Sequence, residues 1–98
     1  MTITEKRCGT ELTLAIEGSL DTTSFKQLEQ KVQTVLDGVE FLVLDCSGLE
    51  YISSAGLRAM LVAQKAMSKQ GKMVVRGANE SVMDTLVLTG FTKVLTIE

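Results

Sequence analysis

A mixed α/β sheet with helices packed on it is the fold class predicted by this 98-residue chain, and three observations carry it. One segment alternates apolar and polar residues with period two. Two short apolar runs, "FLVLD" and "KMVVR", show no such alternation. The stretches between them place apolar residues at three- and four-residue spacing and end at a glycine. Alternation marks a strand with one buried face, unbroken runs mark covered strands, and the longer spacing marks amphipathic helices. In order they read ββαβαβαβ over residues 1–98, one domain with a sheet of four to five strands. Strand–helix–strand units favour right-handed parallel crossovers.

The alternating segment is "ELTLAIEG", with Leu12, Leu14 and Ile16 on one face and Thr13, Ala15 and Glu17 on the other. Thr2–Cys8 forms a strand before it, joined through Gly9 and Thr10 in a hairpin-like turn. Residues 22–37 change period: Phe25, Leu28, Val32, Val35 and Leu36 share one helical face. Residues 21–24 offer N-cap side chains, Ser24 with Gln27 has capping-box spacing, and Gly38 suits a left-handed C-cap. "FLVLD" is the next strand, ending at Asp45. Leu57, Met60, Leu61 and Met67 then form the inner stripe of a helix that stops by Gly71, and "KMVVR" is another strand. A shorter helix fits residues 80–89, capped by Asn79, with Val82, Met83, Leu86 and Val87 inward. Gly90 ends it and "KVLTI" makes the last strand.

Composition narrows the function. A net charge of −2, 45% hydrophobic and 22% charged residues describe a globular chain rather than a disordered tail. No apolar run approaches the roughly 18 residues of a bilayer span, so no membrane insertion is expected. No basic and apolar leader opens the sequence, and the cytoplasm is the expected compartment. Lys and Arg are interspersed with Asp and Glu, which argues against direct nucleic-acid binding. Cys8 and Cys46 lack metal-ligand spacing and read as small buried residues of a reduced protein. There is no histidine, which removes the usual triad chemistry and leaves neither a metal site nor a cofactor motif.

The most informative stretch is "DCSGLEYISSAGLRAML", residues 45–61, where an apolar strand passes through polar residues into a helix. Ser53 and Ser54 stand at the entrance of that helix. A serine there caps the helix, worth about 1 kcal/mol. A phosphorylated serine there is also favoured, because first-turn N–H groups and the helix dipole attract negative charge. A nucleophilic serine is not supported: no base is near, since Lys65 and Lys69 lie several turns further on, and no nucleophile elbow is present. Asp45 is an acceptor for loop N–H groups at the strand end.

These residues carry a resemblance to the STAS domain, and most closely to the stand-alone bacterial anti-sigma-factor antagonists. Asp45-Cys46-Ser47 is similar to the family's Asp-x-Ser at the end of a buried strand. Ser53-Ser54-Ala55-Gly56-Leu57 is similar to its Asp-Ser-Ser-Gly-Leu. Gly18-Ser19-Leu20-Asp21 is similar to its Gly-Glu-Leu-Asp, and "LTGFTKVLTI" to its usual ending. The resemblance spans nearly the whole chain and implies a single STAS-like domain, not an enzyme, that acts by binding. It implies that Ser54 is phosphorylated by a partner anti-sigma factor, an ATP-dependent serine kinase, and reset by a serine phosphatase. It implies a partner surface of Asp21, Ser53, Ser54 and Gly56, with Asp45 and Ser47 in a structural loop. Two positions depart from the motif: Ser53 replaces its aspartate and Ala55 its second serine. The alternatives are a STAS accessory subunit docking the ATPase of a bacterial phospholipid transporter, never phosphorylated, and a small-ligand or nucleotide sensor.

Overall fold

The structure, a computed structural model, describes all residues from Met1 to Glu98. Its elements are β1 (Thr2–Cys8), β2 (Glu11–Leu20), α1 (Phe25–Val35), β3 (Phe41–Ile52), α2 (Ser54–Ser68), β4 (Lys72–Arg76) and α3 (Glu80–Leu88), then a 3₁₀ turn at Phe91–Lys93. The sheet order is β1-β2-β3-β4, with β1 antiparallel to β2 and the other two pairings parallel. Both crossovers step in the same direction across the sheet, so right-handed connections place α1 and α2 on one face.

Register shows how the core assembles on that face. Leu12, Leu42 and Met73 lie side by side across three strands, and Leu14, Leu44 and Val75 form the next row. With Leu28 and Val32 of α1, and Leu57, Met60 and Met67 of α2, they belong to one cluster of 23 buried residues. Even β1, the edge, turns residues of the same face to structural use. Glu5 pairs with Lys31 of α1 at 2.9 Å, and Arg7 donates to the Asp37 carbonyl at 2.8 Å, closing the end of α1.

The structure departs from the sequence reading at several points. β3 does not end at Asp45 but runs on to Ile52. Two irregularities let it do so. Ala15 pairs with Asp45 but Glu17 with Gly48, and Gly18 pairs with Leu49 but Ser19 with Tyr51. Each inserts an extra residue into β3, and bulges of this kind destroy the alternation that would mark a strand. The last strand is reduced to a single bridge between Val75 and Ile97. Gly90, at φ +78°, starts the 3₁₀ turn, and the N–H groups of Val94 and Leu95 donate to the Phe91 carbonyl at 3.0 and 2.8 Å. That curl carries Leu95 into the core and leaves only the final residues extended.

Smaller corrections have local causes. Ser24 precedes α1 but does not form a capping box. Its hydroxyl receives the Asp21 N–H at 3.0 Å and donates to the Ser19 carbonyl at 2.7 Å. Leu61 and Met83 are half-buried and Val87 is exposed, because the helix stripes are narrower than the apolar sequence suggests. Cys46 is buried as expected, but Cys8 is exposed: opposite Glu11, it lies on the sheet face away from the helices.

Candidate functional site

The site forms where β2 and β3 end together. Leu20 and Ile52 are paired neighbours, so the chain leaves both strands at the same place, toward Asp21 and toward α2. One residue, Ser53, separates β3 from α2. Its extended backbone (φ −99°, ψ 178°) turns the chain, and its hydroxyl accepts the Gly56 N–H at 3.3 Å. Its own N–H donates to the Leu20 carbonyl at 3.0 Å, and its carbonyl accepts the Leu57 N–H at 2.9 Å. Ser53 is therefore the cap that joins strand end, neighbouring loop and helix.

Ser54 is the first helical residue and is exposed, and its hydroxyl has no partner within the chain. Behind it, Ala55, Gly56 and Leu57 are buried. Gly56 therefore does not present a surface to a partner, contrary to the sequence reading. A Cβ there would run into the Leu20 carbonyl oxygen and come within 2.9 Å of both Leu20 Cγ and Ile52 Cγ1. The glycine is needed because α2 starts pressed against the end of β2.

Asp21 is the other member of the site that the sequence pointed to. Its carboxylate accepts the Thr23 hydroxyl at 2.7 Å and the Thr23 N–H at 3.0 Å, with the Ser24 hydroxyl at 3.2 Å. These bonds, those of Thr23 foremost, hold its pKa below the ordinary 3.8 and keep it ionised. The loop is thus pre-folded around a fixed negative charge.

Asp45 and Ser47 are structural but sit inside β3 rather than in a loop after it. Asp45 Oδ1 accepts the Ser47 N–H at 3.0 Å, across the first bulge. Gly77, at φ +78°, packs there: a Cβ on it would lie 3.1 Å from Ser47 N and 3.3 Å from Asp45 Oδ1.

Two residues of the site went unrecognised in the sequence. Tyr51 is 54% exposed at the end of β3. Its exposure follows from the second bulge, which no pattern in the sequence announces. Arg58 is exposed on α2 one helical turn after Ser54. The four-residue spacing was a legible signal for it. The exposed surface is then Thr22, Thr23, Tyr51, Ser54 and Arg58, around the half-buried Asp21 and Ser53.

Residues 3–96 match the family model described as "Mlab, STAS domain". BtrV of Bordetella bronchiseptica, named as a candidate anti-sigma factor antagonist, is 30% identical over 99% of this chain and 85% of its own length. An anti-sigma factor antagonist from Mycobacterium paratuberculosis has a similar fold, with a TM-score of 0.87 and 23% identity over 98% of this chain and 83% of its own. So does the Bacillus cell fate determinant SpoIIAA in its phosphorylated form, with a TM-score of 0.75 and 13% identity over 99% and 91% of the two chains.

Proposed function

The chain belongs to the STAS domain family, and we propose that within it the protein is an anti-sigma-factor antagonist, switched by phosphorylation of Ser54. The observation that carries this reading is the exposed Ser54 hydroxyl, without a partner, on the first residue of α2 beside the ordered Asp21 loop. Its capping role has been taken by Ser53, so Ser54 is free for another. The name of the BtrV relative supports the antagonist reading.

In this reading the protein binds and does no chemistry of its own. Unphosphorylated, it docks on an anti-sigma-factor serine kinase through Asp21, Ser53, Ser54 and the exposed Tyr51, and the sigma factor is released. The kinase ends the contact. Ser54 Oγ attacks the γ-phosphorus of ATP, the new O–P bond forms as the bond to the β,γ-bridging oxygen breaks, ADP leaves, and the hydroxyl proton passes to a base on the kinase. A serine phosphatase hydrolyses the ester and resets the cycle.

Electrostatics make one group sufficient. The phosphoserine carries a charge of about −1.5 to −2. On the helix end this is tolerated or mildly favoured, by about 0.3–1 kcal/mol. Buried unpaired against a partner it costs several kcal/mol. A net penalty of about 3–4 kcal/mol weakens binding a few hundredfold.

The test is intact-mass spectrometry after incubation with ATP and the anti-sigma kinases of the same organism, on wild type, Ser53→Ala and Ser54→Ala. One phosphoryl gain that is lost only in Ser54→Ala is the expected result. A second reading is a permanently docked STAS subunit on a transporter ATPase, favoured by the neutral Ser53 at the position of the motif's aspartate. No gain with any cognate kinase, together with co-purification of a single ATPase, would replace the first reading by the second.

A further inference from the structure

Arg58 is the cation nearest in sequence to Ser54 on α2, and the structure gives it no counter-ion. The protein has two ion pairs, Lys31 with Glu5 and Arg76 with Glu98, and neither involves it. The first turn of α2 contains no acidic residue. The carboxylate of the loop after β2, Asp21, is engaged by Thr23 and Ser24. Of the other charged groups on β3 and α1, Lys31 is taken by Glu5, while Asp45, Glu50, Lys26 and Glu29 make no ion pair. Arg58, the fifth residue of α2, gains nothing from the helix dipole, whose positive end is at Ser54.

Ser54 and Arg58 are one turn apart on α2, both exposed, with buried Ala55, Gly56 and Leu57 turned inward between them. Residues at this spacing lie on the same face of a helix. Helical side chains lean toward the N-terminus, the direction in which a side chain as long as that of Arg58 can reach the first turn. A guanidinium presents a planar fork of donors that matches phosphate oxygens.

We propose that Arg58 is the intramolecular counter-ion of a phosphoryl group on Ser54. The proposal rests on the phosphorylation reading given above and specifies how the modified state is held. The phosphate folds back along α2 onto Arg58 and stays a dianion near neutral pH. Ser53 contributes by being neutral, since a carboxylate at that position would repel the phosphate that Arg58 attracts. Modification therefore changes two surface charges together: it adds a dianion and withdraws a free guanidinium from the partner.

The test uses full-length protein with phosphoserine incorporated at position 54 during translation, titrated by ³¹P NMR. The probe is the second ionisation of the phosphate, near 6 for an unpaired phosphoserine. In the Arg58 protein it lies below that value. Arg58→Gln raises it by about half a pH unit, the size expected for an exposed ion pair with a dianion, and Arg58→Lys raises it by less. Superimposable titration curves for the Arg58 and Arg58→Gln proteins would overturn the proposal. Because no kinase is used, this result is separate from the phosphorylation test. A clear shift here with no phosphoryl gain from any kinase would retire the switch and leave the counter-ion standing.

Discussion

Gly56→Ala isolates the packing that positions the site. The substitution gains up to about 1 kcal/mol from helix propensity. Against this, the new Cβ meets the Leu20 carbonyl oxygen and two side-chain carbons at 2.9 Å. None of these can yield cheaply. The carbonyl already accepts the Ser53 N–H at 3.0 Å, and the Leu20 and Ile52 side chains are buried in the core. Overpacking of this kind costs about 1–3 kcal/mol, and a backbone obstacle places it at the upper end. The net loss is about 2 kcal/mol, which for a domain of this size lowers Tm by roughly 10 °C. The assay is thermal unfolding by circular dichroism, with urea unfolding to confirm that the m-value is unchanged. A Gly56→Ala protein that melts at or above wild type would refute the claim that α2 is seated against the end of β2.

Two further outcomes follow from the titratable groups. The Asp21 carboxyl should titrate below 3.8 by carboxyl ¹³C NMR, and Thr23→Val should move its midpoint up, because the Thr23 hydroxyl is the leading cause of the shift. Because its folded-state pKa is lowered, its contribution to stability is present above about pH 4 and is lost as pH falls through the lowered value; an unshifted Asp21 would mean the loop is not ordered as described. The Cys46 thiol is pushed up to about 12 by burial, with the Asp45 charge adding to it. Its contribution is full below an ordinary thiol value and is lost as pH rises toward 12. A thiol reagent at neutral pH should label exposed Cys8 alone and reach Cys46 only on unfolding. Labelling of both in the native state would contradict the buried placement.

Much of the scaffold is legible in the sequence because its signals are local. The alternation of Leu12, Leu14 and Ile16 is that of a strand with one covered face, and all three are fully buried. Gly9, Gly38 and Gly90 stand at turns and helix ends with positive φ. Asn79 accepts the Val82 N–H at 2.8 Å, as its position before α3 suggests. What stays hidden depends on the neighbouring strand. The polar stretch 46–52 is a strand only because β2 continues to Leu20 and pairs with it through two bulges. The final apolar stretch reads as a strand, yet the turn after Gly90 leaves it a single bridge.

The same long-range pairing decides the division of labour between the two serines. From the sequence alone, Ser53 and Ser54 are both eligible caps. Once β3 is known to reach Ile52, one residue remains between strand and helix, and Ser53 must turn the chain and cap α2 at once. Ser54 is left with an open hydroxyl on a first turn whose inward side is closed by Ala55, Gly56 and Leu57. A group added there meets solvent rather than the core. The Ser53 bonds that fasten α2 to the end of β2 do not pass through the Ser54 side chain. Any signal carried by Ser54 is therefore a change of surface charge on a fixed frame, read by what docks there and not by refolding of the domain.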